Sequence, residues 1–222
     1  MLFRSRNLEE AEAYCREIVQ RGYGTVLCGG GDGTLVGAIN NVHRYVQESN
    51  GWRTERFFRF GERQCLLDMP RFGFLRLGTG NGISSVVGAR RPIGDLRRVL
   101  DFGPGRSHEL SMIEAGDERC VVAGLGYDSL LLNDYNWLKK HTRNRLLKPL
   151  MHTVLGYFAA LFARTIPRVT LTDQAKLGVR ITNRGRAFYI DPRRGDAALE
   201  IPDGDVLFEG TAALVGAGTM PY

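Results

Sequence analysis

The sequence predicts an α/β fold with a parallel sheet in its first half and a β-rich fold in its second. Three observations predict it. Before residue 100, helical apolar spacing and short apolar runs alternate, and each run empties into a small-residue loop. The segment Asp101-Phe102-Gly103-Pro104-Gly105-Arg106 combines Gly and Pro and punctuates the chain. Beyond it, short strand-like segments predominate. A chain of 222 residues has room for one large domain or two modest ones, and the punctuation divides it into 1–104 and 105–222.

Taken in order, Asn7-Leu8-Glu9-Glu10 forms a capping-box pattern with Asn in place of Ser or Thr. Leu8, Ala11, Cys15, Ile18 and Val19 follow at helical spacing, and Gly22 is a natural stop. Thr25–Cys28 reads as a buried strand, Leu35 to Val42 as the start of a helix, and Gly51 to Arg71 as an excursion carrying Arg53, Arg56, Arg59, Arg63 and Arg71. Phe72–Leu77 is the next strand, and helical patterns run on to Leu100. In the second half, His108–Glu114 and Arg119–Leu125 flank a Gly116-Asp117 turn, the signal of a hairpin. A helical stretch from about Leu146 to Ala163 precedes strands at Val169–Thr172, Gly178–Thr182, Ala187–Ile190, Val206–Glu209 and Ala212–Val215.

Composition narrows the function. With 43% hydrophobic and 24% charged residues the chain is globular. A net charge of +6 fits nucleic acid, anionic lipid or a phosphorylated substrate, and no nucleic-acid motif accompanies it. Cys15, Cys28, Cys65 and Cys120 contain no C-x-x-C pair, so neither a zinc site nor a disulfide framework is expected and a reducing cytosol fits. His43, His108, His141 and His152 have no ligand spacing and are expected to be structural or superficial. Arg4, Arg6, Glu9 and Glu10 break any signal-peptide pattern. The longest uncharged stretch, Pro149 to Ala163, has fifteen residues, against roughly 20 for a spanning helix. The expectation is a cytoplasmic protein that is soluble or peripheral to the inner membrane surface, with no transmembrane segment.

The central motif is Gly30-Gly31-Asp32-Gly33-Thr34, between a strand and a helix. Glycines let backbone N–H groups approach phosphate oxygens, and a helix N-terminus favours negative charge. Thr34 can cap the helix or touch a phosphate. Asp32 would be repelled by phosphates, so it fits a magnesium partner or the acceptor of a proton from an attacking hydroxyl. No Lys follows the glycines, which excludes a Walker loop, and the spacing of Gly29, Gly31 and Gly33 fails the dinucleotide fingerprint. One such loop is as readily a tight turn with a helix cap. A second, Gly78-Thr79-Gly80-Asn81-Gly82, also follows a strand. Two loops at neighbouring strand ends would form one phosphate cradle, which implies a nucleotide.

Gly30-Gly31-Asp32-Gly33-Thr34, Leu77-Gly78-Thr79-Gly80-Asn81 and Gly124-Leu125-Gly126-Tyr127-Asp128-Ser129 together resemble the three ordered signatures of the diacylglycerol kinase-like lipid kinases, the family of diacylglycerol, ceramide and sphingosine kinases. The resemblance implies a two-domain enzyme: an α/β nucleotide domain, a β-rich, sandwich-like lipid-substrate domain and an active site in the cleft between them. It implies that Gly30, Gly31, Asp32, Gly33, Thr34, Gly78, Thr79, Gly80 and Asn81 hold ATP with Mg2+, that Asp32 is catalytic, and that Asp128 meets the lipid headgroup. The reaction would transfer the γ-phosphoryl group to a lipid hydroxyl such as that of diacylglycerol, at a membrane surface, with a homo-oligomer open. The chain departs from the family pattern at Gly37, where a Glu is common, and at Gly82, where an Asp is common. The resemblance leads to the expectation of a fragment that lacks the family's opening strand and its closing Asp-Gly-x-Leu segment, in preference to a complete but inactive relative. Asp203-Gly204-Asp205 lies too early to be that segment and reads as a hairpin turn. The first motif alone is shared with NAD kinases, the rival enzyme reading, and a non-catalytic nucleotide-binding module is the rival outside catalysis.

A basic stretch, Lys139, Lys140, Arg143, Arg145 and Lys148, precedes an apolar helix bearing Leu150, Val154, Leu155, Phe158, Leu161 and Phe162. The commoner meaning of this pattern is a core helix with a solvated basic approach; a membrane-active surface is the other. Tyr135 and Trp137, beside Leu130, Leu131 and Leu132, are read as core in preference to an acyl pocket.

Overall fold

The structure is a computed structural model and describes residues 1–60, 65–78, 81–105, 107–142, 147–172, 176–191 and 193–219. The chain divides into two compact units, Met1–Val122 with Gly218–Tyr222, and Ala123–Ala217.

In the first unit, α1 (Leu8–Arg21) starts and stops as its sequence dictates. The Asn7 side chain accepts from the Glu10 N–H at 2.8 Å, and Gly22 closes the helix at φ +65°. Cys15, Ile18 and Val19 are buried against Val42, Tyr45 and Val46 of α2 (Asp32–Phe60). The strands β1 (Thr25–Gly30) and β2 (Arg71–Arg76) pair in parallel, Thr25 opposite Arg71 and Gly30 opposite Arg76. A parallel pair needs a crossover, and α2 supplies it. A second core, Cys28, Leu35, Phe74, Ile83 and Val121, lies beneath the ends of these strands.

Residues 51–60, expected to be part of an excursion, continue α2 instead. The signal was in the spacing of its pairs: Arg56 lies over Trp52 at 4.9 Å and Arg59 bonds Glu55 at 3.0 Å, both four residues apart. Asn50 then fixes the return of the chain through Leu67, donating to its carbonyl at 2.9 Å and accepting from its N–H at 2.7 Å. Arg63 lies outside the described residues.

After β2 come α3 (Ile83–Val86) and α4 (Pro92–Phe102), which ends at Gly103 with φ +76°; Arg106 of the punctuating segment lies outside the described residues. The hairpin at Gly116 is present but short, β3 (Ile113–Ala115) against β4 (Glu118–Cys120); residues 108–112 are not strand. Asn40 of α2 holds it, donating to the Arg119 carbonyl at 2.8 Å and accepting its N–H at 2.9 Å, as a neighbouring strand would.

The second unit begins one residue into β5 (Val122–Gly126), which pairs with β10 (Leu214–Gly218). Gly126, at φ +76°, turns the chain into α5 (Tyr127–His141). A 3₁₀ turn at Leu150–His152 leads to one helical run of three parts: α6 (Val154–Ala160), a π-helical segment Leu161–Thr165 and α7 (Ile166–Thr172). Val169–Thr172 is therefore helix, not the expected strand. The π segment falls just before Pro167, whose missing N–H an α-helix could not use, and the Thr170 hydroxyl bonds back to the Ile166 carbonyl at 2.9 Å. Beyond it, β6 (Leu177–Thr182) pairs antiparallel with β9 (Val206–Ala212), and β7 (Ala187–Ile190) with β8 (Ala197–Ile201). The strand β8 was not expected. Asp203-Gly204-Asp205 is a turn, as expected, with Gly204 at φ +88°, but it joins strands of different pairs. Asn183, buried, holds it by accepting the Gly204 N–H on its carbonyl and donating its amide to the Ile201 and Pro202 carbonyls.

The helical run from Val154 to Thr172 has 19 residues and a mean hydropathy of 1.2, long and apolar enough by length and composition to cross a membrane. Counting only uncharged residues concealed this, because Arg164 and Arg168 interrupt the stretch. Both arginines bond Asp134 of α5 at 2.7 Å, and the Thr165 hydroxyl bonds its other oxygen at 3.0 Å. Asp134 is 1% exposed. Burial alone would raise its pKa; the bonds from Arg164, Thr165 and Arg168 outweigh that and hold the carboxyl below the usual Asp value. A lowered folded-state pKa adds stability that is complete above the unfolded value and is lost as pH falls through the folded one. Asp134→Asn should cost about 2–3 kcal/mol in urea unfolding near neutrality, and the gap from the parent chain should close below about pH 4.

Candidate active site

The two glycine loops are joined. The strand β1 ends at Gly30, and the Gly31 carbonyl opens α2 by accepting from the N–H groups of Thr34 at 3.0 Å and Leu35 at 3.3 Å. The parallel register brings the end of β2 alongside, so that the Gly30 carbonyl accepts from both Leu77 at 3.0 Å and Gly78 at 2.9 Å. Gly78 lies so close to Gly31 that a Cβ on it would overlap the Gly31 Cα and N. At Gly30 an added Cβ would stand 2.5 Å from the Thr34 Oγ1. These two positions need glycine for the fold itself.

Asp32 completes the junction. Its Oδ2 accepts from the Gly82 N–H at 2.6 Å and its Oδ1 from the Ile83 N–H at 3.1 Å, 50 and 51 residues along the chain. Gly82 has no side chain to cap α3, and Asp32, the first residue of α2, does so from outside. A carboxylate has about four acceptor sites, so two bonds leave capacity for a ligand.

Asn81 donates its amide to the Gly78 carbonyl, and the buried Ser84 hydroxyl bonds the Asn81 carbonyl. The Asn81 Oδ1 is buried and has no partner among the described residues, an arrangement that invites a donor from a ligand. Thr79 and Gly80 lie outside the described residues.

Gly33 differs from Gly30 and Gly78. It is exposed, and a Cβ there would meet nothing within 4 Å among the described residues. Glycine in a helix costs about 0.5–1 kcal/mol relative to Ala, and no packing among the described residues requires it here. Gly33→Ala should therefore stabilise the chain by up to about 1 kcal/mol, and should weaken ATP binding if the expected phosphate contact is made there. Equal ATP affinity in a titration of the two chains would show that nothing approaches Gly33.

Asp128 belongs to the second unit, in the first turn of α5. Gly124 leaves it room, since a Cβ at that glycine would lie 2.5 Å from the Asp128 Oδ2, and the Ser129 hydroxyl bonds the Gly126 carbonyl at 3.0 Å. Tyr157 of α6 is a neighbour that no motif announced. Its pKa is raised, first by burial and then by Tyr135 and Asp128, so its hydroxyl keeps its proton. Tyr135 and Tyr157 stack with ring centroids 4.3 Å apart. Trp137 is 41% exposed and not core, stacked on His141 with Arg164 over its face at 3.9 Å. His43 bridges to Arg119 at 2.9 Å, and burial and then Arg119 lower its pKa. The Cys28 thiol is pushed up to about 12, chiefly by burial, which makes it a core side chain and not a nucleophile.

Glycine loops fastened together at the carboxyl ends of parallel strands define an α/β protein of the kind that takes its ligand at that edge. The chain belongs to the diacylglycerol kinase catalytic domain family. That family's model matches residues 2–113, which takes in both loops and Asp32 and leaves Asp128 outside. By family it is a kinase of the lipid-kinase group, and kinases of this family use ATP. No curated protein and no solved structure matches the chain.

Proposed function

We propose that the chain transfers the γ-phosphoryl group of ATP to a lipid hydroxyl, with diacylglycerol as the first candidate acceptor, at the cytoplasmic face of a membrane. The observation that carries this reading is the junction of the two loops through Asp32, within the segment matched by the family. Gly30, Gly31, Gly33 and Thr34 hold the phosphates, with the α2 N-terminus behind them. Gly78, Thr79, Gly80 and Asn81 hold the adenosine, and the unpartnered Asn81 Oδ1 accepts from an adenine amine or a ribose hydroxyl.

Bound ATP supplies the transferable group. Asp32 has acceptor capacity left to take the proton of the attacking hydroxyl or to hold a Mg2+-bound water. Mg2+ usually needs only one or two carboxylates beside the phosphates, which suits a site with a single fixed Asp. Met1–Val122 acts as the nucleotide unit and Ala123–Ala217 as the β-rich lipid-substrate unit, a division later than the expected one after residue 104. In the second unit Asp128, beside the protonated Tyr157, orients the headgroup.

Thermal unfolding of the chain with Mg·ATP, with NAD and with neither tests the nucleotide half of this reading. At a hundred times its dissociation constant a ligand adds about 2.7 kcal/mol, and each kcal/mol is worth roughly 2–4 °C at this length. A shift with ATP alone, followed by phosphate transfer to diacylglycerol vesicles, is the expected result. A shift or transfer with NAD in place of lipid overturns it.

A further inference from the structure

The run from Val154 to Thr172 is built inside out. Its buried positions are the small Gly156, Ala160 and Thr165, which lie on one side of the helix and include the bond to Asp134 of α5. Most of its large apolar residues face the other way: Leu155 is 57% exposed, Phe158 51% and Phe162 66%, while Leu161, Ile166 and Val169 are half-buried. Phe158 and Phe162 stack on that outer side, 6.4 Å between centroids. A helix of a soluble core has the opposite arrangement, so the core-helix expectation is corrected here.

Charge says what covers this side. From Asp134 to Thr172 the sequence has seven Lys or Arg against the single Asp134, which pairs with Arg164 and Arg168, so the rest of the chain is balanced at 23 against 23. The whole net positive charge resides in this one stretch. Contacts tie part of it to the helical run: Lys139 lies over the Tyr135 ring at 4.2 Å, Tyr135 stacks on Tyr157 of α6, and Arg164 covers the half-exposed Trp137. Aromatic and apolar side chains bordered by basic ones match the boundary of an anionic bilayer. A second copy of the chain would set two such basic stretches against each other.

We propose that the outer side of α6 to α7, with the basic end of α5, docks on the surface of an anionic lipid bilayer. The run lies in the surface without crossing it, because its inner side is held to α5 through Arg164, Arg168 and Asp134. The docking is independent of Asp32 and of nucleotide.

Co-sedimentation of the full chain with vesicles, without ATP, tests this separately from the phosphotransfer reading. Binding is expected to vesicles of phosphatidylcholine with phosphatidylglycerol, to be weak with phosphatidylcholine alone, and to be reversed by high salt. Lys139→Gln and Lys140→Gln should each weaken it about five-fold, equivalent to about 1 kcal/mol per charge. Phe158→Ser with Phe162→Ser should weaken it at least about ten-fold, with an unchanged circular dichroism spectrum and melting temperature. Equal binding to both vesicle types overturns the proposal, as does no binding or retention through high salt and alkaline carbonate. Unfolding of the Phe variant would make this side core, and a dimer that the Phe variant dissociates would make it a self-contact; each also overturns it.

Discussion

Asp32→Ala is expected to lower phosphoryl transfer by about 10²–10⁴-fold, the range that a positioned proton acceptor supplies, and to free the Gly82 end of the second glycine loop, while the bonds from Leu77 and Gly78 to the Gly30 carbonyl remain. The carboxylate both faces the proposed chemistry and caps α3 through Gly82 and Ile83, so the variant should also lose about 1 kcal/mol of stability. Two measurements separate these roles. If Asp32→Ala still gives the Mg·ATP thermal shift but no turnover, the carboxylate acts in the reaction. If shift and turnover vanish together, its main service is to hold the loops. Unimpaired turnover would remove Asp32 from the site altogether.

The second large effect belongs to a residue without functional groups. Gly78→Ala would drive a methyl into the Gly31 backbone, and backbone cannot move aside as a side-chain tip can. The loops must part, breaking the bonds from Leu77 and Gly78 to the Gly30 carbonyl. Such overpacking costs about 1–3 kcal/mol, and the cradle should lose Mg·ATP at concentrations that saturate the parent chain. The contrast with Gly33→Ala is the informative part, since that change should stabilise the chain. Normal ATP binding by Gly78→Ala would mean that the nucleotide does not use the junction.

Much of the first unit was legible because its signals are local. Asn7 and Gly22 act on their own helix, and the glycine loops follow runs whose apolar character marks them as strands. What escaped depends on distant partners. Asp32 was legible as chemistry but not as the cap of α3, because its two donors lie half a hundred residues away. Val169–Thr172 has strand-forming residues, and what makes it helix is the preceding turn with Arg168 bonded across to α5. Asp134 lies in no motif. Its only trace was a pair of arginines four residues apart on an apolar stretch, an unexpected expense unless a carboxylate waits for them. The outward Phe158 and Phe162 were visible as apolar, but periodicity does not say which side of a helix meets protein.

The parallel pairing of β1 and β2 has a consequence for how the site comes into being. Everything that fastens the loops depends on a register between segments more than forty residues apart, so no fragment of the first unit can hold the cradle. Cys28, two residues before Gly30 and buried in the same strand, can serve as its clock. With its thiol protonated and enclosed, alkylation must wait for β1 to open, whereas Cys65 is exposed from the start. The labelling rate at Cys28 is thus a direct reading of how often the nucleotide edge comes apart, and a nucleotide that seals the edge will slow it in proportion to its occupancy.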